Sequence, residues 1–394
     1  MKLKDVEALV DQDPARRAMQ MLMLGSEMAE TKKKKPGKLA VPAALRAESV
    51  MGDETRGMLM SLHGVSVEEP QAMTGLRSTG RTLQTAAGEV DDLVLTPQGR
   101  KKRARAAMRR TAGVSVEDLA LRQLGVGMLE SDPHTRVCAA YAYWQATGWS
   151  EPVMPILHNG MDSSDSDECL LSATCMAHID AKQTRKLQGT IKDDRPQTPI
   201  QPVKPSMTVL IHGTFAMKSR WYKPGGDFHT YIKSKVYKDV YSGPDDFYSW
   251  SGRYHLLDSE LEKIWKAAAR KLVAWCNAHP TNKLRLIAHS HGCNVVNIAT
   301  QLGLKACSLI QLSPPVRDWN LPKMQNVSSN RIFNIHSRFD PVVFVDGGAQ
   351  DYSDTAVSAF ERTRTISFSG HSHSHDKDRW KKKKIPAFVK TVCQ

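Results

Sequence analysis

The sequence predicts an α plus α/β protein, with a helical first half, a proline-rich joint, and a second half in which helices alternate with the strands of a parallel sheet. Three observations predict it. Residues 1 to about 190 are rich in Ala, Leu, Met, Arg and Glu and show few strand-like alternations. Residues 193–205 carry Pro196, Pro199, Pro202 and Pro205, a composition that favours a semi-extended linker. Beyond it, compact apolar runs recur at 207–211, 284–288, 308–312, 332–336 and 363–368, with helical patterns at about 257–278 and 293–303. The expected domains are therefore 1–192, helical; 193–205, linker; and 206–394, α/β.

Within the helical half, residues 131–142 find an echo 33 residues on, in 164–175. Ser131-Asp132 pairs with Ser164-Asp165, Gly127-Met128 with Gly160-Met161, and Leu124 with Leu157. Each copy opens with a Ser-Asp turn able to cap a helix of small apolar residues. The period is that of one helix-turn-helix unit and resembles a HEAT-like repeat, in which stacked helix pairs bury each other's apolar faces. Asp13-Pro14 and Asp53-Glu54 read as degenerate earlier copies, and an irregular helical bundle is the alternative. A charged break is expected at 31–38, where Lys32, Lys33, Lys34 and Lys35 precede Pro36-Gly37.

The second half is organised around residues 284–296. An apolar strand ends in Ala288-His289-Ser290-His291-Gly292 and passes directly into helix-compatible residues. That is the context of a nucleophile elbow, where small residues two before and two after the serine let strand and helix backbones approach. The first small residue is alanine where glycine is usual. A serine hydroxyl needs a positioned base, and the base needs a carboxylate behind it. Asp340 follows the strand at 332–336, with Asp318 and Asp346 as substitutes, and His371, His373 and His375 follow the last strand.

From about residue 207 onward these features resemble the α/β-hydrolase family of lipases and esterases, in which nucleophile, acid and histidine occur in this chain order at the carboxyl ends of strands. The resemblance implies Ser290 as nucleophile, Asp340 as acid and a histidine of the 371–375 cluster as base. His371 is preferred because it follows Gly370 directly after the strand, as the base commonly does in the family; His373 and His375 are the alternatives. It also implies an oxyanion hole from the backbone N–H of His291 and that of Thr214 or Phe215, after the His212-Gly213 turn. His212, Trp221 and Trp250, with the elbow, further resemble bacterial lipase-like hydrolases, some of them regarded as secreted effectors. Eleven aromatic residues lie between Phe215 and Tyr254, a density that suggests a cap or pocket wall, with Trp221 and Trp250 beside His212 as substrate-pocket residues; the alternative is core, and about half of the rings are expected to be core. The implied reaction is cofactor-free hydrolysis of a carboxylic ester, lipid-like in character.

Two other readings compete. Alternate residues of an extended His371-Ser372-His373-Ser374-His375 segment would present three imidazoles on one face, with His289 and His291 adding to a metal site. Alternatively, the hydrolase-like half is a catalytically dead interaction module.

With 394 residues the chain can bury a sizeable core. Its 55 Lys+Arg against 41 Asp+Glu leave a net charge of +14, which favours an anionic membrane surface as a partner, while the helical repeats favour a protein partner. No nucleic-acid-binding signature accompanies the basic runs at Lys32, Arg100 and Lys381, so nucleic acid is not expected. The seven scattered cysteines read as mostly reduced, buried thiols. The start of the sequence lacks the apolar stretch of a secretory signal, and no apolar run is long enough to span a membrane, so a cytoplasmic location is expected unless a signal-independent export route operates.

Overall fold

The computed structural model describes residues 13–34, 116–180, 201–216, 219–243, 247–255, 258–328 and 331–390. The expected repeat copy at 53–58, the basic run at 100–105 and most of the linker lie outside them. The chain divides into two compact units, Met1–Asn159 and Gly160–Gln394. It combines helices with a five-stranded, wholly parallel sheet.

The first unit holds α1 (Pro14–Lys34), α2 (Val116–Gly127) and α3 (Pro133–Thr147), and α4 (Met154–Met161) runs across the boundary. Asp132 caps α3, its carboxylate accepting from the Thr135 N–H at 2.7 Å, with Pro133 in the first turn where a missing N–H costs nothing. Asp13 does the same for α1 through the Ala15 N–H. Helix α3 is apolar almost all round and packs on α1, where a Cβ on Gly25 would come within 2.6 Å of the Ala142 Cα, so only glycine lets the two backbones meet. The helix continues through Lys34, so residues 31–34 of the expected charged break are helical, and the rest of it lies outside the described residues. Lys32, Lys33 and Lys34 are good helix formers and carry α1 past the point where charge alone suggested a loop.

The second unit begins with α5 (Ser166–Ile179), capped by the Asp165 carboxylate on the N–H groups of Asp167 and Glu168. Both Ser-Asp turns of the sequence echo thus start helices, yet α5 clusters with the sheet, 46 residues ahead of the boundary expected at 206. Residues 201–205 are also bound to this unit: Gln201 N–H donates to the Ala278 carbonyl and Lys204 N–H to that of Pro280, so the end of the expected linker runs as a tied strap.

Strands β1 (Met207–Ile211), β2 (Leu284–His289), β3 (Ser308–Leu312), β4 (Ile332–Phe339) and β5 (Glu361–Ser369) pair in sequence order. The first four are buried along almost their whole length, as near-continuous apolar runs in a parallel sheet should be. Alternation sends Val209, Leu286 and Leu309 to one face, under α7 (Asp258–Ala278) and α8 (His291–Gln301). Leu210, Ile287 and Ile310 go to the other, against Phe228 and Ile232 of α6 (Asp227–Lys235), and against Trp380 and Ile385 near the C-terminus. Of the eleven aromatics, Tyr222, Phe228, Tyr237, Tyr248, Trp250 and Tyr254 belong to these cores, in line with the expectation that about half would. The area they remove from water, ~150–250 Å² per ring, is spent on packing the sheet.

Cys138, Cys169, Cys175, Cys276 and Cys293 are free thiols. Cys307 is disulfide-bonded, so the described cysteines are mostly, but not all, reduced. No helix among the described residues is long and apolar enough to cross a membrane.

Candidate active site

All five parallel strands point their carboxyl ends to one edge of the sheet, and the residues singled out in the sequence gather there. Thr214 follows β1, Ser290 follows β2 and opens α8, Asp340 follows β4 and opens α9 (Pro341–Asp346), and His371 lies two residues past β5.

Ser290 has φ 55° and ψ −136°, a conformation most L-residues avoid, at a cost of ~1–3 kcal/mol. Its neighbours hold it there. A Cβ on Gly213 would lie 2.5 Å from the Ser290 Cβ and 2.9 Å from the His289 carbonyl oxygen. One on Gly292 would lie 2.6 Å from the His212 carbonyl oxygen. The two glycines therefore let the loop after β1 press directly on the serine turn. Alanine suffices at 288, where it is buried in the strand.

The Asp340 carboxylate has both oxygens engaged. Oδ1 accepts from the N–H groups of Val342 and Val343 at 3.1 and 3.2 Å as the cap of α9, and Oδ2 accepts from His371 Nδ1 at 2.7 Å. Because a carboxylate only accepts, Nδ1 carries the imidazole proton and Nε2 presents a lone pair. That Nε2 is buried and has no hydrogen-bond partner among the described residues. Burial works to lower the His371 pKa, but the charge and hydrogen bond of Asp340 outweigh it, and the group ends above its ordinary value. The His371 backbone is held as well, its carbonyl accepting from Ser313 Oγ and Ser374 Oγ at 3.0 Å and from His289 Nε2 at 3.3 Å.

Ser290 and His371 line one cavity of about 10 Å³, whose walls are otherwise Leu170, Thr174, Thr214, Tyr254, His291, Pro315, Val342, Val343 and Asp346. That is room for about one water molecule, far below the roughly 300–1,000 Å³ of a typical small-molecule pocket. Helix α5 supplies the cover, through Leu170 and Thr174.

Of the proposed oxyanion donors, the N–H groups of Thr214 and His291 donate to no acceptor among the described residues. Phe215 does not serve: its N–H donates to the Gly252 carbonyl at 2.9 Å, and its positive φ of 59° belongs to that turn. His212 and Trp250 are not pocket residues. His212 Nδ1–H donates to the Gly213 carbonyl at 2.7 Å, Nε2 accepts from Ser249 Oγ and the Trp250 N–H, and the Trp250 indole N–H returns to the His212 carbonyl at 2.7 Å. The pair is a buried lock on the loop after β1. Trp221 is also absent from the cavity wall and stacks on His375, ring centroids 4.5 Å apart.

His373 and His375 stand away from Asp340. His373 Nδ1 lies 3.0 Å from Ser367 Oγ and Nε2 faces Arg379, while burial and His371 push His375 down to about 3. The segment 372–375 is a 3-10 turn, so the three imidazoles fan out to different partners instead of lining one face, and no group of three or more His, Cys, Asp or Glu among the described residues is placed to hold a metal ion. Asp318 is exposed and bonded to Ser353. Asp346 pairs with His291 at 3.0 Å and with Arg317 at 2.7 Å. Burial alone would raise its carboxyl, but His291 and Arg317 bring it down to about 2.

Sequence reasoning did not find Asp167, Arg317, Ser313 or the place of α5. Asp167 comes with α5, and Ser313 and Arg317 come from the loop after β3; both segments lie far in sequence from the serine turn, and no local pattern signals that they meet it.

No protein-family model matches the chain. A search of curated proteins finds no match either. Among solved structures the chain is similar to an uncharacterized protein from Bacillus cereus ATCC 10987, at 11% identity and a TM-score of 0.31, with 80% of this chain and 99% of that one covered.

Proposed function

We propose that the protein is a serine hydrolase of the α/β-hydrolase type, cleaving carboxylic esters through an acyl-enzyme. The observation that carries the reading is the unspent Nε2 of His371, whose Nδ1–H is held by Asp340, on a residue that lines one cavity together with the strained Ser290. In the proposed reaction Ser290 Oγ attacks the ester carbonyl and passes its proton to His371 Nε2. The N–H groups of Thr214 and His291 receive the oxyanion; the alcohol leaves with the proton from His371, and water releases the acid by the same route in reverse.

The apolar wall of Leu170, Pro315, Val342, Val343 and Tyr254 favours an acyl group over a charged substrate. A cavity of about 10 Å³ admits no acyl chain while α5 is in place. A lipid-like ester would enter with α5 displaced, and the net charge of +14 would then draw the protein to an anionic membrane surface. The N-terminal helices, read as HEAT-like, would serve for protein contact.

Fluorophosphonate labelling of the purified protein and of Ser290→Ala, read by intact mass, tests the reading. One adduct on the parent and none on the variant is expected. A folded parent that takes no adduct, with or without anionic vesicles, would favour a non-catalytic interaction module.

A further inference from the structure

The residue after Ser290 is placed to act twice. Its backbone N–H opens α8 beside the serine, and its imidazole turns back toward the loop after β1, where Nδ1 hydrogen-bonds Thr214 Oγ1. The other nitrogen, Nε2, lies 3.0 Å from Asp346 Oδ2. Arg317 Nη2 holds that carboxylate oxygen at 2.7 Å and the Asp346 carbonyl at 2.8 Å. The ring is packed between aromatic faces, stacked on Tyr254 with centroids 5.7 Å apart and lying 4.9 Å from Trp265. All of these side chains except Tyr254 and Trp265 are polar, and all are buried.

A chain Thr214–His291–Asp346–Arg317 this deep is not required by packing. Burying an ion pair and an imidazole among aromatic rings costs desolvation that apolar residues of similar volume would avoid. What the chain does geometrically is join the two residues whose N–H groups are unspent at the serine. Thr214 sits on a loop with no strand or helix of its own, and its only side-chain hydrogen bond among those described is to His291. His291 belongs to a rigid helix.

We propose that the His291 side chain, fixed by Asp346 and Arg317, is a positioning device that clamps Thr214 and sets the spacing of the two oxyanion donors. The proposal rests on the serine-hydrolase reading above. An oxyanion hole works only if its donors are preorganised at the position the charge will occupy, and a loop donor left to drift would lose that advantage while leaving substrate binding alone.

The test compares parent, Thr214→Val, Thr214→Ser and His291→Ala on p-nitrophenyl acetate and butyrate, with a boronic acid as tetrahedral mimic and a urea melt for stability. Valine keeps the backbone N–H and the shape of threonine but removes the hydroxyl. Expected for Thr214→Val is a kcat lower by ~10- to 100-fold, less than the ~10²–10³ of deleting an oxyanion donor outright, with KM within about twofold. Boronate affinity should fall in step with kcat, and Thr214→Ser, which restores the hydroxyl, should recover most of the loss. His291→Ala, which retains its N–H, should match Thr214→Val. A Thr214→Val protein with kcat and boronate affinity within about twofold of the parent overturns the clamp. A parent that neither hydrolyses ester nor takes a fluorophosphonate overturns the hydrolase reading instead, so the two failures are told apart.

Discussion

The carboxylate of Asp167 accepts a hydrogen bond of 2.7 Å from the backbone N–H of Ser372, tying α5 to the residue next to His371. The same helix places Leu170 and Thr174 over the cavity that holds Ser290. Cover and base are therefore joined at one point. Removing that tie with Asp167→Ala should free the cover more than it disturbs the serine. The ratio of labelling rates for a long-chain fluorophosphonate over phenylmethylsulfonyl fluoride should rise severalfold. An unchanged ratio would mean that α5 does not limit access.

The acidic limb of the activity profile follows from the His371 proton. The base works only when Nε2 is unprotonated, and the Asp340 carboxylate holds the imidazole above its ordinary value. Expected, then, is a kcat/KM that climbs with pH through a midpoint above ~6.5 and levels beyond it. Asp340→Asn removes the charge and its amide can donate to Nδ1, which leaves Nε2 protonated and unable to accept the serine proton. A fall of about 10⁴-fold in kcat is expected, measured by ester hydrolysis at the plateau pH.

Contact between Gly213 and Ser290 makes the first position intolerant of any side chain. In Gly213→Ala the new methyl would meet the Ser290 Cβ and the His289 carbonyl, neither of which is the far end of a flexible chain. Expected is a destabilisation of ~1–3 kcal/mol in urea melts together with loss of fluorophosphonate labelling. Gly225→Ala is the control for local backbone effects, since a Cβ there meets nothing within 4 Å, although its φ of 83° adds strain of its own. That control should keep its labelling.

Two buried histidines make the fold sensitive to acid. Burial, with His371 and His375 as neighbours, pushes His289 well below its ordinary value, and burial and His371 push His375 to about 3. Both are neutral in the folded chain and gain protons more readily when it unfolds. The unfolded state thus binds the extra protons, so their contribution is complete above ~6.5 and is lost as pH falls from there toward 3, at up to about 1.4 kcal/mol per pH unit for each histidine. Urea midpoints measured from pH 7.5 to 4.5 should fall accordingly. His375→Phe, which keeps the stacking on Trp221, should flatten the slope.

The sheet and the serine turn were readable because their signals are local. Strands β1 and β3 match the runs at 207–211 and 308–312 residue for residue, since a strand buried on both faces is mostly apolar, with Thr208, Ser308 and Gln311 as buried polar exceptions. Ala288, Ser290 and Gly292 mark a strand-turn-helix by their small size alone. The aromatic segment left its rings divided between cap and core, because density of rings says that area is buried, not whether substrate or core covers it. Only Tyr254 of that segment reaches the cavity.

By itself, then, the sequence determined which elements form and in what order they arrive at the carboxyl edge of a parallel sheet, because period, composition and turn chemistry are properties of neighbours along the chain. Choosing among His371, His373 and His375 required the tertiary structure, in which a 3-10 turn aims one imidazole at Asp340 and sends the others to Ser367 and Trp221. The same holds for the spent N–H of Phe215, the Asp346 pairing of His291 and the cover formed by α5. A hydrogen bond is decided by ångströms and angles between groups dozens to hundreds of residues apart, and that distance is set only when the whole sheet and its covering helices have packed.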